Sequence, residues 1–392
     1  MMEHIAIFFN ELTLVELVLG AAFLLLFLVQ ICFYFFLYSK PYRLSKKNKS
    51  QTVDTESLPS ISVVIVSKND SDQLSKNLPF VLEQDYPNFE VVVVNSGSSD
   101  DTDIVLKGAE NKYKNIYHTF IPNDADSVNE KKLALTVGIK ASKKDYILFT
   151  EPYNKPNSKN WLMEFGKQIA KGNEIVLGYS GLVFLKRFFL RRFVAFDNMF
   201  LQVQFLSMAI FKKPYMGLGQ NMAIRKDIFF ENKGFSSILN IDGGEDDIYI
   251  NNIAKGRKTG VVIAQDGMVT TDSINSFKSW RSFRSKYLYT KKFYRGLGKE
   301  VVKIEALSKN LYNIVLILLV ALSIISSNVV LLVSTLSIFL LRFLVMLIVL
   351  NKNSKLFKAG SFHIDVMFFD FFLPVNNCFF RQYAKSRTRM RH

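Results

Sequence analysis

Residues 17–38 read LVLGAAFLLLFLVQICFYFFLY, an apolar run in which Gln30 is the only strongly polar side chain. About twenty such residues cross the hydrocarbon core of a bilayer as a helix. A cleaved signal segment would begin with positive charge and carry a shorter apolar stretch. Here the preceding residues hold Glu3, Glu11 and Glu16 and no lysine, so residues 1–39 are expected to form an uncleaved anchor. Lys40, Arg43, Lys46, Lys47 and Lys49 follow with no acid among them. Cytoplasmic flanks of spanning helices collect Lys and Arg, which places the N-terminus outside and the next domain at the cytoplasmic face of a multi-pass membrane protein.

Two further spans are expected at 311–327 and 328–350, joined by the polar turn Ser326-Ser327-Asn328 and flanked by lysines at both outer ends. They make an out-and-back hairpin over residues 301–350, whose one internal charge, Arg342, has to snorkel or face protein. Residues 362–380 are apolar but interrupted by Asp365, Asp370, Pro374, Asn376 and Asn377. Basic residues on both sides oppose another crossing, so residues 351–392 are read as an interfacial or re-entrant segment ending in a basic tail.

The formal charge of +16 suggests a nucleic-acid binder or a protein on anionic lipid. Its location decides between them. The post-anchor block and the tail (Arg381, Lys385, Arg387, Arg389, Arg391) each hold five basic residues, and residues 278–309 hold ten against Glu300 and Glu305. These juxtamembrane blocks account for the whole excess, so lipid is the expected partner and nucleic acid is not. Two cysteines and four histidines exclude a disulfide framework and a multi-His or Cys-rich metal site.

After a basic and polar linker over residues 40–60, the pattern becomes alternating strand and helix. Residues 61–67, 89–95 and 145–150 read as short, buried strands, with helices at 72–84 and 129–142. Such strands predict an α/β domain with a mostly parallel central sheet covered on both faces. Ligands bind where parallel strands end. The residues there are Lys68-Asn69-Asp70, Ser96-Gly97-Ser98-Ser99-Asp100 and Glu151-Pro152-Tyr153.

Residues 63–102 (VVIVSKNDSDQLSKNLPFVLEQDYPNFEVVVVNSGSSDDT) resemble the opening of family-2 glycosyltransferases. Lys131-Lys132-Leu133-Ala134-Leu135 is similar to that family's Lys-rich helix start, residues 214–225 (PYMGLGQNMAIR) to its acceptor-side loop, and Gly244-Glu245-Asp246-Asp247 to its Glu-Asp motif. The resemblance implies a GT-A-like nucleotide-sugar-binding domain over residues 61–300, flanked by transmembrane helices. It implies transfer of a sugar with inversion from a nucleotide-sugar donor to a membrane-associated saccharide or lipid-linked acceptor. Asp246 would be the general base, its proton affinity raised by Glu245 and Asp247. Donor binding would fall to Asn69, Asp70, Ser96, Lys132, Glu151, Arg284 and Lys286, and the acceptor side to Gly219, Asn221 and Glu245. The alternative role for the acidic triplet is a solvated turn capping the next helix.

Three positions depart from the family pattern. The metal-binding Asp-x-Asp reads Glu151-Pro152-Tyr153, leaving Glu151 as the candidate ligand for Mg or Mn and weakening the site at Tyr153. Ser96 stands where an acidic residue usually meets the nucleoside. The Gln-x-x-Arg-Trp-like motif reads Phe283-Arg284-Ser285-Lys286-Tyr287. A catalytically degenerate relative acting as a membrane scaffold is therefore a second expectation. Residues 184–211, aromatic and basic, are read as an amphipathic helix at headgroup level, with a helix packed in the domain core as the alternative.

Overall fold

The structure, a computed structural model, describes residues 13–47, 58–122 and 130–389. Glu3, Glu11, Lys49, most of the linker and Arg391 lie outside the described residues, as do the side chains of Lys385, Arg387 and Arg389.

Strand β1 (Ile61–Ser67) shows why the sheet forms where it does. Val63 and Ile65 face one side, Val64 the other, and all are fully buried, so the strand has no solvent face. It pairs in parallel with β2 (Phe89–Ser96) and β4 (Tyr146–Thr150), placing the three strand ends side by side. With β3 (Ile116–Ile121), β6 (Ile175–Gly178), β8 (Met222–Arg225) and β9 (Thr259–Val262), the order is β3-β2-β1-β4-β8-β6-β9. Only β8 runs against its neighbours. The expected mostly parallel sheet is thus present. Strands β5 (Asn154–Pro156), β7 (Ser180–Leu182) and β10 (Val269–Thr271) form a second sheet in the order β5-β10-β7.

On the Val63 face, leucines of α3 (Ser71–Leu82) and α4 (Thr102–Lys112) pack with Trp161 and Phe165 of α6 (Trp161–Ala170). The Val64 face carries α5 (Glu130–Ala141) and α7 (Arg191–Ile210), whose core is continuous with residues of the membrane helices such as Tyr34, Met346 and Leu350. Helix α7 is the outcome for 184–211, and it lies inside protein rather than at headgroup level. Among the described residues four helices are long and apolar enough to cross a bilayer, but 83% of the α7 window is buried, against 17% to 44% for the other three. Two of its polar side chains are satisfied internally: Gln202 Oε1 accepts from Ser180 N (2.8 Å), and Asn198 Nδ2 donates to Ser180 O (3.1 Å).

The other three apolar helices are α1 (Leu14–Cys32), which runs through a π turn to Tyr38 and on to α2 (Lys40–Lys47), and the hairpin of α11 (Leu297–Ile325) and α12 (Val329–Phe357). Their outward apolar side chains, among them Leu25, Ile317 and Leu341, are exposed, as lipid-facing surfaces are. The hairpin turns at Ser327, whose φ of 51° is left-handed. Arg342 faces protein: it is 1% exposed and donates through Nη1 and Nη2 to Asp370 Oδ2, both at 2.9 Å. Asp370 belongs to α13 (Asp365–Arg389), one continuous helix through Pro374 that packs along α10 (Phe277–Thr290).

Candidate active site

The segment before α9 (Asp247–Ile253) is built for a sharp approach: Gly243 and Gly244 take φ of 77° and 85°, a region side chains resist. It delivers Glu245 and Asp246, both nearly buried, against the ends of β1 and β4. A small cavity of about 20 Å³ is walled by Lys131, Glu151, Gly219, Glu245 and Asp246. That is space for about one water.

The contacts around this cavity are ionic. Lys131 Nζ lies 2.5 Å from Glu151 Oε1 and 4.0 Å from Glu245 Oε1. Lys286 Nζ lies 2.8 Å from Glu245 and 3.5 Å from Asp246 Oδ1. Asp246 Oδ2 accepts from Gly219 N (3.1 Å) and from the Tyr287 hydroxyl (2.7 Å), while Oδ1 accepts from Asp247 N (2.9 Å). The carboxylate thus also caps α9, but it is buried in a cleft rather than on a solvated turn. A Cβ on Gly219 would come within 3.3 Å of Asp246 Cβ, a tight contact that would push the Asp246 side chain by a few tenths of an ångström.

Electrostatics within the acidic triplet run opposite to the sequence expectation. Burial works to raise the Asp246 pKa, yet Lys286, Tyr287, Gly219 and Lys131 outweigh it and hold the carboxyl well below its ordinary range. The neighbour whose proton affinity rises is Asp247, its pKa raised to about 7 by burial and then by the Asp246 charge. Thr290 and Tyr294 donate to Asp247 Oδ2, and its Oδ1 has no partner. A folded-state pKa above the ordinary 3.8 means stability fully present below about 4 and lost as pH rises to about 7. Asp247→Asn, which keeps an acceptor for both hydroxyls, is expected to fold and to flatten that loss. Thermal melts at pH 4.5 and 8 check this; a variant melt as pH-sensitive as wild type would contradict it.

The strand ends bring together some of the predicted residues and separate others. Asn69, at φ 56°, links the β1 and β2 turns: its N donates to Ser98 Oγ (2.9 Å) and its Oδ1 accepts from Ser99 N (2.8 Å). Asp70 Oδ2 accepts from Lys68 N (3.0 Å). Ser96 Oγ donates to Glu130 Oε1 (2.6 Å), so α5 supplies a carboxylate beside the position where the β2 turn lacks one. Glu130 was missed because nothing in the linear pattern couples it to Ser96.

Three of the predicted residues have their side chains engaged away from this cavity. Lys132 Nζ does not reach the cleft; it donates to the carbonyls of Ile238 and Ile241, and the adjacent Lys131 occupies the site instead. Arg284 points away from the strand ends into a two-point ion pair with Asp197 (2.8 and 3.0 Å), which also accepts from Trp280 Nε1. Asn221 is a packing hub, bonded to Trp161, Tyr179 and Gly267. The spacing of Tyr287, Thr290 and Tyr294, whose hydroxyls serve Asp246 and Asp247, was a legible signal that went unread.

A divalent cation does not fit the strand-end residues as they stand. Glu151 already holds the Lys131 ammonium, and burial followed by the Glu151 charge raises the Tyr153 hydroxyl above its ordinary range, keeping it neutral. Among the described residues no cluster of three or more His, Cys, Asp or Glu side chains is arranged for a metal. Tyr153→Asp is expected to raise Mn²⁺ affinity about tenfold or more, the gain of one ionised oxygen ligand. Titration calorimetry checks it, and unchanged affinity would show that this strand end is not the metal position.

A parallel-sheet domain with an acidic cleft at its strand ends and a buried carboxylate facing it defines the GT-A class of glycosyltransferases. Residues 62–229 match the family described as glycosyl transferase family 2. That part of the chain is a family-2 glycosyltransferase domain. Poly-beta-1,6-N-acetyl-D-glucosamine synthase of Staphylococcus epidermidis is 32% identical over 117 residues, 30% of this chain and 26% of that protein. The synthase of the same name from Staphylococcus aureus strain MSSA476 is 31% identical over 102 residues, 26% of this chain and 23% of that one. The chain thus matches about a quarter of the length of these relatives. A mannosyltransferase from Pyrobaculum calidifontis, solved with GDP-Man and Mn2+, superposes with a TM-score of 0.54 at 17% identity, covering 88% of this chain and 99% of its own. That likeness concerns the fold.

Proposed function

We propose that the chain is an inverting glycosyltransferase, moving a sugar from a nucleotide-sugar to a membrane-borne acceptor at the cytoplasmic face. The observation that carries this reading is the Asp246 carboxylate, held ionised in the cleft between Gly219 and the Lys131–Glu151 pair. Asp246 takes the proton of the acceptor hydroxyl as that oxygen bonds to the anomeric carbon. The bond to the leaving diphosphate breaks on the opposite side, and its electron pair leaves with the nucleoside diphosphate. Lys131 and Lys286 are the cations within reach of that charge, and moving Lys286 from Asp246 to the diphosphate raises the proton affinity of the base as the donor seats. Glu130 and Ser96, with Asn69 and Asp70, are the polar groups at the nucleoside end. Support for the cytoplasmic face comes from the basic stretch Lys40–Lys47 after α1. The relatives that synthesise a glucosamine polymer favour an envelope saccharide as product.

A second reading, a donor-binding scaffold without turnover, draws on Tyr153 and on Arg284, whose guanidinium is spent on Asp197. Purified full-length protein in detergent, offered a panel of nucleotide-sugars with and without divalent metal, separates the two. Diphosphate release supports the transferase; donor binding with no release under any condition supports the scaffold.

A further inference from the structure

A cavity of about 310 Å³ lies between the catalytic domain and the membrane helices, walled by α7, α10, α11 and α13. Its size is at the lower end for small-molecule sites. It adjoins the catalytic group, because Tyr287, which bonds Asp246, is part of its wall. It also lies at the right depth for a lipid headgroup: Lys309 and Asn310 on its wall immediately precede the apolar stretch of α11.

The charge on this wall is not balanced. Arg284 is neutralised by Asp197. Lys309 lies 3.6 Å from Asp370, which already serves Arg342, and Glu305, the remaining acid on the wall, acts on both Lys309 and Lys291. The side chains of Lys291 and Arg381 make no hydrogen bond or ion pair among the described residues, and both line the cavity. Against Arg284, Lys291, Lys309 and Arg381 the wall sets Asp197 and Glu305, which leaves two positive charges in excess. Lys291 is half-buried and Arg381 exposed, and an excess of positive charge in a partly desolvated cavity is costly unless a ligand supplies the partner.

We propose that this cavity binds the phosphate of a lipid-linked acceptor, with Lys291 and Arg381 as its ligands. The inference deepens the transferase reading and rests on it. A neutral glycan would find the tyrosine rings but would leave both cations unpaired; a phosphate satisfies them, and a lipid tail can leave along α11 and α13. Burial, and then Arg284, Arg381 and Lys309, lower the Lys291 pKa to about 8 against the opposing charge of Glu305, the state of an ammonium in a positively charged surrounding. A bound phosphate restores it.

The test uses the full chain in neutral phosphatidylcholine nanodiscs, with Cys32→Ser so that Cys378, exposed at this wall, is the thiol followed. The probes are farnesyl phosphate, farnesol, inorganic phosphate and a neutral N-acetylglucosamine oligosaccharide. Farnesyl phosphate is expected to bind about tenfold or more tighter than farnesol, as charge-assisted contacts allow, and to slow Cys378 alkylation. Lys291→Met and Lys291→Met/Arg381→Gln are expected to lose that preference while nucleotide-sugar binding is unchanged. Equal binding of farnesol, or variants that keep the preference, overturns the proposal. Inorganic phosphate matching farnesyl phosphate overturns the lipid part, and oligosaccharide binding with the same variant sensitivity assigns the cavity to glycan instead. Donor binding and diphosphate release, measured on the same samples, report the transferase reading separately, so either can fail while the other stands.

Discussion

Asp246→Asn is expected to lower sugar transfer by about 10²- to 10⁴-fold while leaving nucleotide-sugar affinity within about threefold of wild type, the loss that follows from removing a general base. An amide cannot take the acceptor proton. Donor affinity survives because the substitution removes charge next to Lys286 and leaves Lys131 on Glu151, so both lysines remain for the diphosphate. Asp246 also caps α9 through Asp247 N, and an amide nitrogen turned that way would oppose the donor. Asp246→Ser keeps a capping acceptor and lacks a base, so it separates catalysis from folding. Both variants should show the same transfer defect, whereas their melting temperatures differ. In wild type the depressed Asp246 keeps its charge through weakly acidic pH, so no acid limb in kcat/KM above about pH 5 is expected from it. Steady-state transfer assays with the best donor check all three points, and turnover unchanged in Asp246→Asn would remove this residue from the role of base.

What the sequence made legible was what local periodicity controls. The membrane helices, strands β1, β2 and β4 and the order of the motifs are written in runs of apolar residues and short polar turns. Strands β6 to β10 have three or four residues each, too short for a period to register. Helix α7 misled because a protein interior and a bilayer ask for the same apolar surface. Only the internal partners of Asn198 and Gln202 distinguish them. The site divides the same way. Asp246 and Glu151 were found by position after a strand or in a motif. The choice between Lys131 and Lys132 depends on which way each side chain leaves α5, and that is fixed by the carbonyls of Ile238 and Ile241, more than a hundred residues away in sequence. Arg284 was drawn to Asp197 by a helix not assigned to the site at all.

Substitutions at Asp370 and Arg342 are expected to have the largest effect on stability, about 3–5 kcal/mol for a single loss, because breaking a buried pair strands a charge. Arg342 joins three spans and α13: besides Asp370 it donates to Gln30 Oε1 (3.1 Å), and Gln30 Nε2 donates to Ser308 Oγ (2.8 Å). Its guanidinium also sits 4.7 Å from the Tyr312 ring centroid. The geometry orders the variants. Arg342→Met leaves Asp370 with Lys309 at 3.6 Å, a partial replacement, so its cost falls at the lower end of that range. Asp370→Leu leaves Arg342 with the Gln30 amide oxygen and no carboxylate in contact, and takes the nearest carboxylate from Lys309 as well, so it should cost more. Arg342→Met/Asp370→Leu removes the central pair together and should recover most of the loss, giving a coupling of about 2 kcal/mol or more in the double-mutant cycle. Unfolding of the purified protein in mild detergent, followed by tryptophan fluorescence, measures the order. Because α13 supplies Asp370 as well as one wall of the interfacial cavity, Asp370→Leu should also speed Cys378 alkylation, which Arg342→Met does less. Equal, small effects of the two single substitutions would mean that the tail helix is not held to the span by this pair.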